Sequence, residues 1–327
     1  MKLSIVTTLY NSSSFVREFH RRASAAAAAV TQDYELIFVN DGSADDSLDI
    51  ALSLHASDAH VRVVDLSRNF GHHKAIMTGL AHASGDLVFL IDSDLEESPE
   101  WLANFHDVLL RSGADVVYGV QERRKGRLFE RVSGALYYTA IELLLEIPIP
   151  RNIVTARLMK RRYVEHLVRH RDRETNLAAL WMITGFSQVP TGVNKLSRAA
   201  TTYTLRKRVS VFVNAVTSFS NRPLIYIFYL GGFIVMTSMA YGGWLIWEEL
   251  HGGIGIPGWA SLIVSIWFLG GVTIFCVGVI GIYLAKVFME TKDRPYTIVR
   301  AAYGLESRVD ESGNRSEHSL EIQRLER

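Results

Sequence analysis

Short, nearly continuous apolar runs alternate with longer stretches of helical spacing over the first hundred residues. Leu3–Thr8, Glu35–Asn40, Val61–Leu66 and Asp86–Ile91 read as strands, and Phe15–Val30, Asp45–His55 and His72–Ala83 as helices. Runs such as LIFVN and DLVFLI suit strands covered by helices on both faces. The alternation predicts an α/β fold with a mostly parallel, doubly wound sheet. Ligands of such sheets bind beyond the carboxyl ends of the strands. A further strand is expected at Asp115–Gly119, then helix-like segments at Leu128–Glu146 and Arg157–His170.

The C-terminal third follows a different pattern. Pro223–Trp247 and Trp259–Ala285 are apolar and free of charged side chains, and each is long enough to cross a hydrocarbon core of about 30 Å as a tilted helix. The Glu248–Gly258 connector holds no Lys or Arg, whereas Arg206, Lys207, Arg208 and Arg222 precede the first run. Lys286, Lys292 and Arg294 follow the second. The positive-inside rule then places both termini in the cytoplasm, as expected of a multi-pass protein of the cell inner (plasma) membrane. The expected organisation is a cytoplasmic domain (1–202), an amphipathic interfacial helix (203–222), transmembrane helices at 223–247 and 259–285 around an external loop (248–258), and a cytoplasmic tail (286–327). The interfacial segment alternates Arg206, Lys207 and Arg208 with Val209, Val211, Phe212, Val213 and Val216. Residues beyond Tyr303 are polar without periodicity and read as mostly disordered.

Composition narrows the function. A net charge of +1 over 327 residues gives no reason to expect nucleic acid. Cys276, the sole cysteine, lies in the second apolar run, which excludes disulfides and cysteine–metal sites within the chain. The first residues, MKLSIVTTLYNSSS, have too short an apolar core for a signal peptide and fit a first strand.

Polar clusters fall where a ligand is expected: Thr8-Leu9-Tyr10-Asn11, Asn40-Asp41-Gly42-Ser43, Ser67-Arg68-Asn69-Phe70-Gly71 and Asp92-Ser93-Asp94. Such residues also make ordinary turns, but four clusters on one sheet edge exceed what turns require. In extended chain, Asp92 and Asp94 project to the same side. Oxygen-only ligands of this kind suit Mg2+ or Mn2+, with phosphate oxygens and water completing the shell. A divalent ion on a diphosphate stabilises the charge that grows as a nucleoside diphosphate departs. His72 and His73 are adjacent on a helix and point apart, so they do not form a two-histidine metal site. His72, at a helix N-terminus, is a candidate to approach an anionic donor.

Several longer motifs occur in order: TLYNS (Thr8–Ser12), VNDGSADDS (Val39–Ser47), LSRNFGHHKAIMTGL (Leu66–Leu80) and ASGDLVFLIDSDLEESPE (Ala83–Glu100). DVVYGVQERRKG (Asp115–Gly126), TSFSNRPL (Thr217–Leu224) and GVIGIYLAKVFMETKDRP (Gly278–Pro295) follow them. In these the chain resembles the family 2 glycosyltransferases of GT-A fold, over nearly its whole length. Within them it is most similar to the membrane-anchored polyprenyl-phosphate glycosyltransferases, the dolichol-phosphate mannose synthase-like group. The resemblance implies that Thr8, Tyr10, Asn11, Asp41, Arg68 and Asp92 bind the nucleotide. It also implies that Asp92 and Asp94 are catalytic and hold the cation, with Glu96 at a position usually occupied by Gln. Arg123, Arg124 and Lys125 stand where the family has a basic acceptor loop suited to a lipid phosphate.

Three departures stand out. The family's PRDVGDFRL reads Pro150-Arg151-Asn152-Ile153-Val154-Thr155-Ala156-Arg157-Leu158, so Asn152 and Thr155 replace acidic residues. A Ser-Lys-Tyr motif is Thr201-Thr202-Tyr203, and Asp-Asp-Gly-Ser is Asn40-Asp41-Gly42-Ser43. A phosphate monoester, with a second pKa near 6, is largely dianionic at pH 7, so it needs positioning and an assisted leaving group more than a base. The expectation is an inverting transfer from a nucleotide sugar, a UDP-sugar first, to polyprenyl phosphate at the cytoplasmic face, making a lipid-linked sugar donor for cell-surface glycans. A hydroxyl of a lipid-linked glycan as acceptor, or an inactive nucleotide-sugar-binding membrane protein, are the alternatives. A processive synthase is disfavoured, because a QxxRW-type motif is lacking and two spans are too few for a polymer channel. Gly231-Gly232 and Gly242-Gly243 permit close helix approach, so a homo-oligomer is expected.

Overall fold

The computed structural model describes residues 1–121, 150, 152–172, 177–196, 222–252, 258–292 and 294–305. In chain order these form β1 (Leu3–Leu9), α1 (Val16–Ala28), β2 (Tyr34–Asn40), α2 (Ser47–Ser57), β3 (Val61–Leu66), α3 (His72–His82), β4 (Leu87–Leu90) and α4 (Trp101–Ser112). There follow β5 (Val116–Gln121), β6 (Ile153–Lys160), α5 (Arg161–Leu167), α6 (Leu177–Ile183), β7 (Gln188–Val193), α7 (Arg222–Gly252), α8 (Trp259–Thr291) and β8 (Val299–Tyr303). The chain divides into two compact units, Met1–Asp107 with Ala156–Arg161 and Thr297–Arg327, and Val108–Thr155 with Arg162–Tyr296.

In the first unit the strand order is β6-β4-β1-β2-β3-β8. The four central strands run parallel, and β6 and β8 flank them antiparallel. Every residue of β1 is buried, as expected of a strand covered on both faces. α1 buries Val16, Phe19, Ala23 and Ala27, a spacing of three or four residues that keeps one stripe inward. α3 lies so close to the sheet that a Cβ on Gly79 would stand 2.6 Å from Val6 Cγ1 and 2.7 Å from Val39 Cγ2. Only glycine permits that approach. Phe105 of α4 meets Phe89 of β4 edge-on, ring centroids 6.1 Å apart.

The amino end of this sheet is locked by a buried carboxylate. Glu35 accepts hydrogen bonds from Ser4 Oγ (2.6 Å), Ser84 N–H (2.8 Å) and Ser84 Oγ (2.9 Å), with Lys2 Nζ 3.5 Å away. Burial pushes its pKa up, but these donors and Lys2 outweigh that and hold it below the ordinary value.

The C-terminal segment returns to this sheet. Ser67 N–H donates to Ile298 O (2.9 Å), Thr78 and Thr297 hydroxyls are 2.8 Å apart, and β8 pairs with β3. Arg300 reaches Asp65 (3.4 Å) and donates to Ser67 O (2.7 Å).

In the second unit β5 and β7 pair in parallel. Asp115, buried before β5, is paired with Arg162. Tyr163 is fully buried and donates to Trp181 O (3.0 Å). α7 and α8 form where the long apolar runs were read, and both outrun their expected limits: α7 continues through Glu248 and Glu249 to Gly252, and α8 to Thr291. Large apolar side chains point outward on them, including Phe228 (76 % exposed) and Trp267 (79 %). Ser265–Thr291 is long and apolar enough to cross a membrane, by length and composition.

Two expectations about elements change. The Arg157–His170 stretch is strand through Lys160 and helix only from Arg161 to Leu167. No element was expected at Val299–Tyr303, where β8 forms. The Leu128–Glu146 helix, the acceptor trio Arg123, Arg124 and Lys125, the body of the interfacial segment (203–221) and the tail beyond 305 lie outside the described residues.

Candidate active site

Four loops leave the carboxyl ends of β1, β2, β3 and β4, and each contains one residue at positive φ. These are Asn11 (52°), Gly42 (64°), Gly71 (100°) and Leu95 (59°). Leu95 is unusual, because a branched side chain in that region costs of order 1–3 kcal/mol; its burial helps hold it there.

Hydrogen bonds lace these loops together. Asn11 N–H donates to Ser43 Oγ (3.3 Å), Ala44 N–H to Asn11 Oδ1 (3.3 Å), and Ser43 Oγ to Leu9 O (3.2 Å). The Asp41 carboxylate accepts Phe70 N–H (2.7 Å) and Gly71 N–H (3.0 Å). Gly42 sits on the next loop: a Cβ there would lie 2.5 Å from Asn69 N and 2.6 Å from Arg68 C. Ser93 Oγ donates to Thr8 O (2.8 Å), tying the β4 loop to β1. His72, the first residue of α3, spans Thr8 and Asp92: Nδ1 is 3.1 Å from Thr8 Oγ1, and Nε2 is 3.3 Å from Asp92 Oδ1.

The Asp-Ser-Asp segment lies past the end of β4, with Ser93 and Asp94 in a turn where its spacing suggested extended chain. Burial still alternates along it. Ile91, Ser93, Leu95 and Glu97 are buried, while Asp92, Asp94 and Glu96 are half-buried. Asp94 Oδ1 accepts Glu96 N–H (2.9 Å), which braces the turn around Leu95. Glu97, fully buried, accepts Ala156 N–H of β6 (2.8 Å) and anchors the far end of the loop.

Two groups here are electrostatically shifted. Burial pushes the Asp41 pKa above its ordinary value, and the Phe70 and Gly71 N–H groups, with His72 and Arg68, only partly offset it. Burial alone would lower the His72 pKa, but the hydrogen bond and charge of Asp92, with Asp41 and Glu97, raise it overall.

A family model described as glycosyl transferase family 2 matches residues 4–168, which hold all four loops. The chain belongs to this family. A Mycobacterium tuberculosis protein described as a glycosyltransferase is 56 % identical over 304 residues, covering 93 % of this chain and 89 % of that one. The SfII prophage-derived bactoprenol glucosyl transferase of Shigella flexneri is 31 % identical over 307 residues, covering 93 % and 99 %. Among solved structures, a mannosyltransferase from Pyrobaculum calidifontis in complex with GDP-Man and Mn2+ is similar at a TM-score of 0.48 and 14 % identity, covering 90 % and 88 %. The mixed sheet described above is the GT-A arrangement of this glycosyltransferase family.

Within this family 2 domain, Thr8, Asn11, Asp41, Asp92, Asp94 and Glu96 stand on one edge of one sheet, as the sequence indicated. Tyr10, between Leu9 and Asn11 on the β1 loop, is 53 % exposed. Arg68 is exposed; it donates to Asn69 O (3.0 Å) and lies 4.1 Å from the centre of the Phe70 ring. Thr155 is half-buried on β6, and Asn152 precedes that strand at φ 59°. Sequence reasoning assigned no role to Ser93 or Glu97, and it treated His72 as a possible anion contact rather than as a link between two candidates. The Asn40 departure acquires a reason: its amide donates to buried Asp65 (2.8 Å), where a second carboxylate would face a like charge.

The residues fit a divalent cation of one kind. No three His, Cys, Asp or Glu side chains converge on a ready-made cage among the described residues. Two aspartates supply only oxygen donors at the mouth of the loops. Mg2+ and similar ions are held this way when one or two carboxylates and substrate phosphates share the coordination.

Proposed function

We propose that the chain is an inverting glycosyltransferase that moves a sugar from a nucleotide donor, a UDP-sugar first, to a polyprenyl phosphate at the cytoplasmic face of the membrane. The observation that carries this is the laced carboxyl edge, where half-buried Asp92 and Asp94 share one sheet edge with Asp41, in a chain that continues into a long apolar helix. Similarity to bactoprenol glucosyl transferases over 93 % of the chain supports the lipid-phosphate acceptor.

In this reading Tyr10 stacks on the base and Asp41 accepts from its edge. The carboxylate retains acceptor capacity beyond the two backbone N–H bonds it already receives. Thr8 and Asn11 line the nucleoside, with Arg68 beside it. Asp92 and Asp94, assisted by Glu96, would hold Mg2+ or Mn2+, which when bound would stabilise negative charge on the diphosphate. A phosphate oxygen of the acceptor attacks the anomeric carbon, and the bond to the diphosphate breaks with its electron pair leaving on the nucleotide. An ionised phosphate needs no base, which suits Thr155 and Asn152 where the family carries acidic residues. Arg123, Arg124 and Lys125 are assigned to the acceptor phosphate. α7 and α8 are assigned to two crossings with both ends cytoplasmic, after a helix at the interface. Gly231 and Gly232 have open space where a Cβ would be, which supports contact between copies in a homo-oligomer.

The test is a panel of nucleotide sugars offered to membranes containing the protein, polyprenyl phosphate and Mg2+ or Mn2+, with lipid products identified by mass spectrometry. The expected product is a sugar phosphate lipid that mild acid cleaves. An acid-stable glycoside would instead mark a hydroxyl acceptor, and absence of product with every donor would overturn the reading.

A further inference from the structure

Asp92 lies beyond the last residue of β4, so the sheet's ladder does not fix it. Ile91, the residue before it, donates its N–H to Val6 O (3.1 Å). A carboxylate past the end of a strand can rotate about its own bonds, and the groups that donate to it set its direction. The His72 ring is placed to do so: its Nε2 stands 3.3 Å from Asp92 Oδ1.

The other side of that ring is held as well. Nδ1 is 3.1 Å from the Thr8 hydroxyl, and Thr8 is buried at the end of β1 with its carbonyl bonded by Ser93. With the proton on Nε2 the ring donates to Asp92 while Nδ1 accepts from the Thr8 hydroxyl; in the imidazolium both nitrogens donate and that hydroxyl accepts instead. Upstream, Asp41 grips the N–H groups of Phe70 and Gly71, the two residues that lead into α3. Gly71, at φ 100°, makes the turn that starts the helix at His72. Strand β1 and the β4 loop therefore meet on one imidazole, carried by a segment that the β2 loop holds.

We infer that His72 is a positioning residue: spanning Thr8 and Asp92, it aims the Asp92 carboxylate into the donor site. Partners of this kind fix the orientation of groups that hold a cation, and losing one typically costs 10–100-fold in affinity. The inference rests on reading Asp92 and Asp94 as the cation carboxylates, and its test separates the two.

Mn2+ binding to the full chain in detergent, with UDP present, is titrated by the paramagnetic resonance signal of free Mn2+. Three variants divide the clamp. His72→Gln places an amide nitrogen near the position of Nε2 and keeps the Asp92 bond. His72→Asn can reach only toward Thr8, and His72→Ala keeps neither. The Ala and Asn variants are expected to bind Mn2+ at least about 10-fold more weakly. The Gln variant should stay within about 3-fold of the parent, with thermal unfolding in the absence of metal unchanged in all three. If all three bind like the parent, or if Gln is as weak as Ala, the inference is overturned. Asp94→Ala is the reference. Should that variant retain full Mn2+ binding, the carboxylate reading itself falls, whereas weak binding by Asp94→Ala with normal binding by the His72 variants removes His72 alone.

Discussion

Strand β2 carries a buried carboxylate at each end, and the two are treated in opposite ways. Glu35, at the amino end, accepts three short hydrogen bonds and has Lys2 nearby, and its pKa falls below the ordinary value despite burial. Asp41, just past the carboxyl end, accepts two backbone N–H bonds, and burial leaves its pKa raised. Both are almost fully inaccessible to solvent. A charge that the protein satisfies by itself closes one end of the sheet. A charge left under-compensated at the other end has capacity for a donor from outside, which is the property a nucleotide site requires.

The comparison can be broken by removing each group in turn. Glu35→Ala leaves Ser4, Ser84 and Lys2 without their acceptor and should lower stability by about 3 kcal/mol, read as a fall in the thermal midpoint in detergent. Nucleotide affinity of the folded protein should be unchanged. Asp41→Asn reverses that profile. It should weaken nucleotide binding about 10-fold, the worth of one charged hydrogen bond, with a smaller loss of stability; calorimetric titration with UDP and Mn2+ measures it. Equal effects of both substitutions on binding would erase the distinction.

Asn40→Asp sharpens it further. The new carboxylate faces Asp65, so a cost of about 1 kcal/mol is expected at neutral pH, fading in acid as the pair takes up a proton. Arg300, bonded to Asp65 from β8, moderates that cost.

The smallest effect is in the pH dependence of stability, where the two carboxylates act with opposite sign. The folded pKa of Glu35 lies below its ordinary 4.5. Its contribution is present in full above that value and is lost as pH falls through the folded one. Parent and Glu35→Gln unfolding curves should therefore converge in acid. Asp41 has a folded pKa above its ordinary 3.8. Protonation favours its folded form, so lowering the pH through the raised value relieves a cost, and Asp41→Asn should remove that gain. Thermal midpoints measured at stepwise lower pH would show parallel curves if neither carboxylate is shifted.

Much of the fold was readable because burial on both faces leaves a local trace. β1, β2 and β3 are nearly unbroken apolar runs, and their boundaries fall within a residue or two of the expected ones. β6 was hidden because its identity comes from pairing with β4 rather than from its own composition. Arg157, 1 % exposed in the middle of that strand, looks like part of a basic helix when read locally. β7 contains Pro190, which demotes a strand reading. β8 is short and largely exposed, and its partner β3 lies more than two hundred residues earlier.

The site was legible as residue types on one edge, since turn and ligand residues cluster where parallel strands end. Its wiring was not. That Ser93 holds Thr8, Glu97 holds Ala156 and Asn40 holds Asp65 depends on pairs far apart in sequence. The Asp-Ser-Asp spacing suggested a strand geometry that a left-handed Leu95 replaces with a braced turn.

The most direct test of the contrast between the two ends is amide hydrogen exchange of the full chain, with and without UDP or GDP plus Mn2+. Slowed exchange is expected at 8–12, 41–44, 68–73 and 92–96, with no change at 2–5, 33–36 and 84–86. Protection spread equally over both ends, or confined to the amino end, would contradict the placement of the donor site.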